Sequence, residues 1–234
     1  SNGILKLNMK EAAQDVKKEN ERIAKLIGIN KAARCTAVKH EGTASLVVGS
    51  SSGIHAWHSK YYIRRIRVGK NESIYKYLSH HHPELLEDEY FIPTQQAVIS
   101  FPIKAPADAI TREESALDLL HRVSQVWGEW VANGHRSGHN VNNVSTTVSI
   151  KDDEWDAVGE WMWAHRDNYT ALSVLPADNG SYVQAPFEEV SEEEYERLAA
   201  VLHAIDLSEV SEIEDMTTHM ENLACAGSGS CEIV

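Results

Sequence analysis

An α/β fold is what this 234-residue sequence predicts, on three observations. Strand-like and helix-like segments alternate along most of its length, which favours parallel crossover units, either an open α/β sheet or part of a barrel. Ala97-Val98-Ile99-Ser100-Phe101 is a near-continuous apolar run of the kind found in strands covered on both faces. Two helix starts carry the Ser/Thr-x-x-Glu signature of a capping box, Thr111 to Glu114 and Ser191 to Glu194.

In chain order, Met9, Ala13, Val16, Ile23 and Ile27 are spaced as one face of an amphipathic helix that ends near Gly28. Residues 34–39 read as a strand, followed by a Gly/Ser-rich stretch at 42–53, and 61–68 is strand-like again. A polar, His-containing stretch leads to the apolar run at 97–101. From Thr111, a helical stripe continues through Leu117, Leu120, Val123, Trp127, Trp130 and Val131. Residues 143–150 are rich in Val and Thr, as strands are; 153–165 resume helical spacing, and 170–175 give another short strand before Pro176. A last helix carries Tyr195, Leu198, Val201 and Leu202.

Composition narrows the function classes. The formal charge is −13 and 42% of residues are hydrophobic, a globular composition. Apolar runs are far shorter than the roughly 20 residues of a membrane span, so no membrane partner is expected. The acidic excess argues against broad nucleic-acid binding. Residues 188–221 hold Arg197 as the sole Lys or Arg against 12 acidic residues, so the excess is concentrated late in the chain. Three cysteines do not make a disulfide scaffold, and a reducing cytoplasm is the expected compartment. The division expected is 1–215 as folded domain and 216–234 as a flexible, Gly/Ser-rich tail.

Several clusters could carry chemistry. His40 to His55 follows a strand, and its small residues let backbone N–H groups approach an anion; a helix beginning near Thr43 would add its unpaired amides, with a plain tight turn as the alternative. It is no Walker loop, for no Gly-Lys-Ser/Thr follows Gly42. Cys225 and Cys231 lie in the terminal arm, where glycines allow two sulfurs to meet and exchange with other disulfides; a tail that merely contains two cysteines is the alternative. Lys60, Arg64, Arg65, Arg67, Lys70 and Lys76 form a basic cluster opposed by Glu72 alone, suited to phosphates or to an acidic partner, or else a strand edge paired with the acidic 188–221 segment. His135 and His139, and the run His80-His81-His82, have spacings that sometimes bind zinc, but lack a Cys pair and read better as loop residues. Cys35 reads as a buried small hydrophobe in a strand.

Four stretches together resemble the C-terminal part of the adenosylcobalamin-dependent (class II) ribonucleotide reductases. Val38-Lys39-His40-Glu41-Gly42-Thr43-Ala44-Ser45 is similar to the family's Val-Lys-Pro-Ser/Glu-Gly-Thr phosphate loop, with His40 in place of Pro. Ser51-Ser52-Gly53-Ile54-His55 with 61–67, Leu172 to Pro176 with Tyr182 to Glu188, and Ala224-Cys225 to Cys231-Glu232-Ile233 resemble later blocks in the right order. The tail places five residues between its cysteines where four is the family's pattern. Class I large subunits carry an adjacent Tyr-Tyr pair late in the chain; here Tyr182 and Tyr195 stand alone, and Tyr61-Tyr62 sits in a different context.

The resemblance implies the C-terminal half of a ten-stranded α/β barrel with a flexible redox tail. It implies a fragment or split subunit whose N-terminal partner carries the radical cysteine, with adenosylcobalamin as cofactor and a ribonucleoside di- or triphosphate as substrate. Glu41, Gly42, Thr43, Ala44 and Ser45 would hold the substrate phosphates. Cys225 and Cys231 would re-reduce an active-site disulfide and be reduced in turn by a thioredoxin-like donor. The competing readings are a class I large-subunit fragment and a non-catalytic α/β nucleotide-binding module.

Overall fold

The computed structural model describes residues 7–42, 44–177, 183–202 and 204–211, with the side chain of residue 46 also left aside. Chain contacts divide the molecule into two units, 1–57 with 106–178 and 58–105 with 179–234. Thr43, Cys225 and Cys231 lie outside the described residues, as does the proposed tail.

In the first unit, α1 (Met9–Ile27) is nucleated by Asn8, whose side chain accepts from the Glu11 N–H at 3.2 Å. It stops at Gly28, which takes the left-handed conformation with φ 74 and donates its N–H to the Ala24 carbonyl. Of the apolar face anticipated from the spacing, Met9 and Ala13 are buried, together with Ala24, while Ile27 is exposed. After the single turn α2 (Ala44–Val47), the next long helix of this unit is Ala116–Val126. Its cap is Ser115, not Thr111: Ser115 accepts from the Asp118 N–H and Asp118 reaches back to the Ser115 N–H, both at 3.1 Å. Glu114, the residue expected to close the box, instead pairs with Arg122. Beyond Val126 the helix widens into a π-turn at Trp127–Val131, where the Ala132 N–H bonds to the Trp127 carbonyl five residues back.

Strands β4 (Thr147–Ile150) and β5 (Ser173–Pro176) pair in parallel, and the connection between them contains the helix Trp155–Ala164. This is the crossover unit that the alternating pattern predicts. Val148 and Ile150 alternate onto a core with Leu119, Leu120, Val158 and Trp161, each such burial contributing about 1.5–3 kcal/mol. A second cluster joins Met9, Val123, Val126, Val131 and Val144. The strand expected at 34–39 is reduced to two isolated bridges, Arg34 with His135 and Val38 with Val144, the latter parallel. Within it Thr36 comes so close to Gly134 that a Cβ there would lie 1.8 Å from the Thr36 hydroxyl, so the helix end must be glycine. Cys35 is half-buried rather than buried.

The second unit departs from the parallel expectation. Its strands are β1 (Tyr61–Gly69), β2 (Leu86–Asp88), β3 (Gln96–Lys104) and β6 (Phe187–Glu189). They form one sheet in the order β2-β3-β1-β6, and every pairing is antiparallel. Strand β1 runs against β3 from Tyr61 opposite Lys104 to Gly69 opposite Gln96, which leaves β2 and β6 as the outer strands. Ala97, Val98 and Ile99 are all buried, as an apolar run without alternation requires. The helix Ser73–His81 and the helix Glu192–Ala200 flank the sheet; the latter is capped by Ser191, which accepts from the Glu194 N–H at 3.1 Å. Val68, Leu78, Leu85, Ala97 and Ile99 form the core of this unit.

Candidate functional site

The 40–55 loop begins where the segment through Val38 ends, beside the residues that lead into β4. Val38 donates its N–H to the Asn143 carbonyl at 3.2 Å and accepts from the Ser145 N–H at 2.9 Å, so 38 and 144 run together just ahead of β4. The loop folds back on its own start: Gly53, at φ 59, brings its backbone so close that a Cβ there would sit 3.2 Å from the Lys39 carbonyl oxygen and 3.4 Å from His40 Cα.

Two histidines then pin the closed loop to the three residues that open β4. The His40 Nδ1 lies 2.9 Å from the Ser145 hydroxyl. His55 accepts the Thr147 N–H at Nε2, at 2.9 Å, with the Thr146 hydroxyl 3.3 Å away. Because Nε2 accepts, the proton of neutral His55 sits on Nδ1, which faces the Ser52 carbonyl at 2.9 Å. Burial is the largest influence on His55 and holds its pKa below the ordinary imidazole value; the Ser52 bond opposes this, while His40, Arg112 and Arg122 add to it. The two rings meet edge to face, with centroids 5.6 Å apart. On the far side Arg122 donates to the Ile54 carbonyl at 3.0 Å and to Glu114 at 3.2 Å, a second tie on the same loop.

Of the residues expected to bind phosphate, Glu41, Gly42, Ala44 and Ser45 are described and fall within this loop. The described helix, Ala44–Val47, lasts four residues, too short to develop an appreciable dipole. Ser45 is buried, its hydroxyl turned to the Gly42 carbonyl at 3.4 Å and its N–H to the Glu41 carbonyl at 3.4 Å, so it braces the turn instead of facing outward. Gly42 is half-buried, and Glu41 and Ala44 are exposed. The partners Ser145, Thr146 and Thr147 were not singled out by sequence reasoning; a run of three small hydroxyl residues before a strand was the signal available.

Three members of the basic cluster are neutralised by carboxylates within the second unit. Arg65 pairs with Glu188 at 2.5 Å and Glu87 at 3.3 Å, Arg67 with Glu89 at 3.4 Å, and Lys70 with Asp88 at 2.5 Å. Arg64 stacks over the Phe187 ring at 4.3 Å and donates to the Pro186 carbonyl at 3.2 Å; burial pulls its pKa down. Beside it burial pushes the Tyr62 hydroxyl up to about 12. Strand β1 is therefore an internal strand whose cations join three strands, with Glu188 supplying one pairing to the acidic segment as anticipated.

The histidines with metal-like spacing are engaged separately. His135 Nε2 lies 2.9 Å from the Gly138 carbonyl, His81 stacks on Tyr77 at 4.7 Å, and His82 Nδ1 lies 3.3 Å from Glu84. Among the described residues no three His, Cys, Asp or Glu side chains come together as a metal site, and no helix is long and apolar enough to cross a membrane.

No family model matches the chain. It is 27% identical over 211 residues to the adenosylcobalamin-dependent ribonucleoside-triphosphate reductase of Lactobacillus acidophilus, covering 88% of this chain and 26% of the relative. With the enzyme of the same name from Lactobacillus leichmannii it shares 27% identity over 228 residues, 93% of this chain and 29% of the relative. A probable reductase of Dictyostelium discoideum is 28% identical over 82% of the chain. The crystal structure of a B12-dependent (class II) ribonucleotide reductase matches with a TM-score of 0.64 and 26% identity, over 82% of this chain and 27% of that one. The chain spans about a quarter of the length of these relatives. In sequence and in its mixed α/β fold, then, this chain is similar to one segment of the adenosylcobalamin-dependent ribonucleotide reductases.

Proposed function

We propose that this chain supplies the substrate-phosphate loop and the tail dithiol of a class II ribonucleotide reductase whose radical cysteine resides on an N-terminal part. The observation that carries the reading is the 40–55 loop, closed by Gly53 on its own start beside β4 and lying in a block that resembles the family's phosphate loop. Relatives named for ribonucleoside triphosphates favour a triphosphate over a diphosphate as substrate.

In this reading the backbone of Glu41, Gly42 and Ala44, with Thr43, receives the phosphates, and Ser45 holds the turn in shape from beneath. The His40 and His55 contacts keep the loop seated on β4, so the ribose is presented in a fixed position. Cys225 and Cys231 carry reducing equivalents: their dithiol is oxidised to a disulfide as an active-site disulfide is reduced to two thiols, and a thioredoxin-like dithiol then reverses the change. A tether of such length presents the thiols at roughly millimolar effective concentration.

Adenosylcobalamin, when bound to the assembled enzyme, supplies the radical chemistry. The described residues show no face built for it. The loop is lined by short polar side chains, and Val47 and Val48 stand exposed on one helical turn and the residue after it.

The test is ribonucleotide reduction by this chain mixed with the N-terminal part, adenosylcobalamin and dithiothreitol, against each component alone. Activity confined to the complete mixture is expected. Cys225→Ser and Cys231→Ser then keep a single turnover but lose thioredoxin-driven multiple turnover. A stable complex without activity would remove the reductase reading, and full thioredoxin-driven turnover by either variant would remove the tail's role.

A further inference from the structure

We infer that the turn Tyr90-Phe91-Ile92 is a preformed anchor by which this chain docks onto the N-terminal part of the reductase. This surface presupposes the reading above, in which such a part exists. What marks it is an exposed aromatic pair on a fixed backbone. Phe91 is 77% and Tyr90 62% exposed, and their rings meet edge to face with centroids 5.1 Å apart.

The turn lies between β2 and β3, and a buried carboxylate builds it. One oxygen of Glu89 accepts the N–H groups of Phe91 at 2.7 Å and of Ile92 at 2.8 Å, and the other accepts from Arg67 at 3.4 Å. The Gln184 carboxamide accepts the Tyr90 N–H at 2.9 Å and donates to the Asp88 carbonyl at 2.8 Å. Gln184 itself stands at φ 57, a left-handed conformation that a residue with a side chain adopts at a cost. Beyond the turn, the Ile92 carbonyl accepts the N–H groups of Gln95 and Gln96. A carboxylate withdrawn from water and a left-handed glutamine thus hold a backbone whose side chains point away from the interior: among the described residues, the core of this unit is built without Tyr90, Phe91 or Ile92. Aromatic side chains already held in place lose little freedom when a partner covers them, and such groups dominate binding at interfaces.

Size and charge select the occupant. Two partly exposed aromatics of roughly 150–250 Å² each, with Ile92 and Val183 beside them in exposure, fall short of the about 800 Å² a side that a stable interface buries. The turn is therefore one anchor within a wider contact. A second copy of this chain meeting it across a two-fold axis would set one outward-standing turn against another, tip to tip. The wider contact needs a larger partner with a recess, and the relatives give the scale: this chain spans 26% of one and 29% of another, so most of such an enzyme lies outside it. The charges near the turn are already matched, Lys70 to Asp88 and Arg67 to Glu89. Its complement is accordingly an apolar pocket that admits the Phe91 ring, not a charged surface.

The experiment mixes the full chain, labelled with 4-fluorophenylalanine, with the N-terminal part. The sequence holds three Phe, so three fluorine resonances report, and Phe91→Ser identifies one by its loss. On complex formation the Phe91 resonance is expected to shift and to escape broadening by a soluble nitroxide, with half-buried Phe101 and Phe187 as references. Phe91→Ser should weaken the complex at least roughly tenfold, as removal of an interface anchor does. Leu26→Ser, at a comparably exposed residue of the other unit, should leave it unchanged. Phe91→Ser should also keep the wild-type circular dichroism and the wild-type affinity for inorganic tripolyphosphate, a stand-in for the substrate's phosphates, so that loss of the complex is not loss of the fold. Unchanged affinity in Phe91→Ser, or a Phe91 resonance still open to the nitroxide in the wild-type complex, would overturn the anchor and leave the reductase reading standing. Self-association of the wild-type chain that Phe91→Ser abolishes would assign the turn to a second copy and overturn it equally. Failure of the wild-type chain to form any complex would overturn the reading of an N-terminal part, and the anchor with it.

Discussion

Strand β1 and the 40–55 loop both look from sequence like places to hold an anion, and they turn out to be opposites. The strand has the charge: Arg65 and Arg67 on it and Lys70 just beyond it are three cations, but Glu188, Glu87, Glu89 and Asp88 meet them within 3.4 Å. The loop has little formal charge, yet its backbone is bent into a closed turn and its histidines are held by neutral hydroxyl and peptide groups. A count of basic residues measures charge carried, whereas binding depends on charge left uncompensated. Glu89 makes the point from the acidic side. The Ile92 and Phe91 N–H groups, in that order, and then Arg67 hold its carboxyl below the usual carboxylate range, so it is spent on structure.

That contrast can be broken from either side. The largest expected effect is on the strand: Arg65→Met removes two ion pairs and a bond to the Ala185 carbonyl at 3.1 Å from a mostly buried site. Both carboxylate partners are about half exposed, which tempers the loss to about 2 kcal/mol. Urea unfolding should show it, while tripolyphosphate affinity stays unchanged; a matching loss of affinity would make the strand a binding element after all. Next is Gly53→Ala, which forces a Cβ toward the Lys39 carbonyl at a left-handed residue and costs about 1–2 kcal/mol. Here affinity should fall with stability, and an alanine variant that binds normally would show that closure of the loop is not what binding needs.

The smallest effect is a pH dependence. His55 has its pKa lowered by burial, so the unfolded chain takes up this proton first as pH falls below about 6.5. Stability is therefore complete above that value and declines as pH drops toward the folded-state pKa. The urea midpoint measured at pH 7.5 and again at pH 5 should fall less in His55→Gln than in wild type. An equal fall in both would mean that His55 is not the neutral anchor of the loop.

How far the sequence was legible depended on range. Local signals were reliable where one element decides its own fate: α1 stops at Gly28, Ser191 caps the last described helix, and the unbroken apolar run at 97–101 lies within β3. The start at Ser115 was missed because Thr111/Glu114 and Ser115/Asp118 both have the form of a box, and the choice depends on Arg122 claiming Glu114. The antiparallel second sheet was missed for a similar reason. Its outer strands are three residues each, too short for a periodic pattern, and pairing direction is set by neighbours distant in sequence. The loop's position was legible, but His40 and His55 find their partners 105 and 91–92 residues away, beyond any local pattern.

The wide turn at Trp127–Val131 carries a consequence for how this chain tolerates insertion and deletion. A π-turn is one residue more than an α-helix needs, so it is a place where the helical frame has already absorbed a surplus. Deleting a residue from a regular stretch of helix turns the two sides apart by about 100°, whereas deleting one within this turn would restore regular winding and keep the flanking stretches in phase. Val123 and Val126 lie before the surplus, Val131 at its end, and all three are buried in one cluster. The wide turn is thus where this helix can lose a residue and still present both of its stretches to the same core, while the same deletion earlier in the helix would turn the residues ahead of it away from Val131.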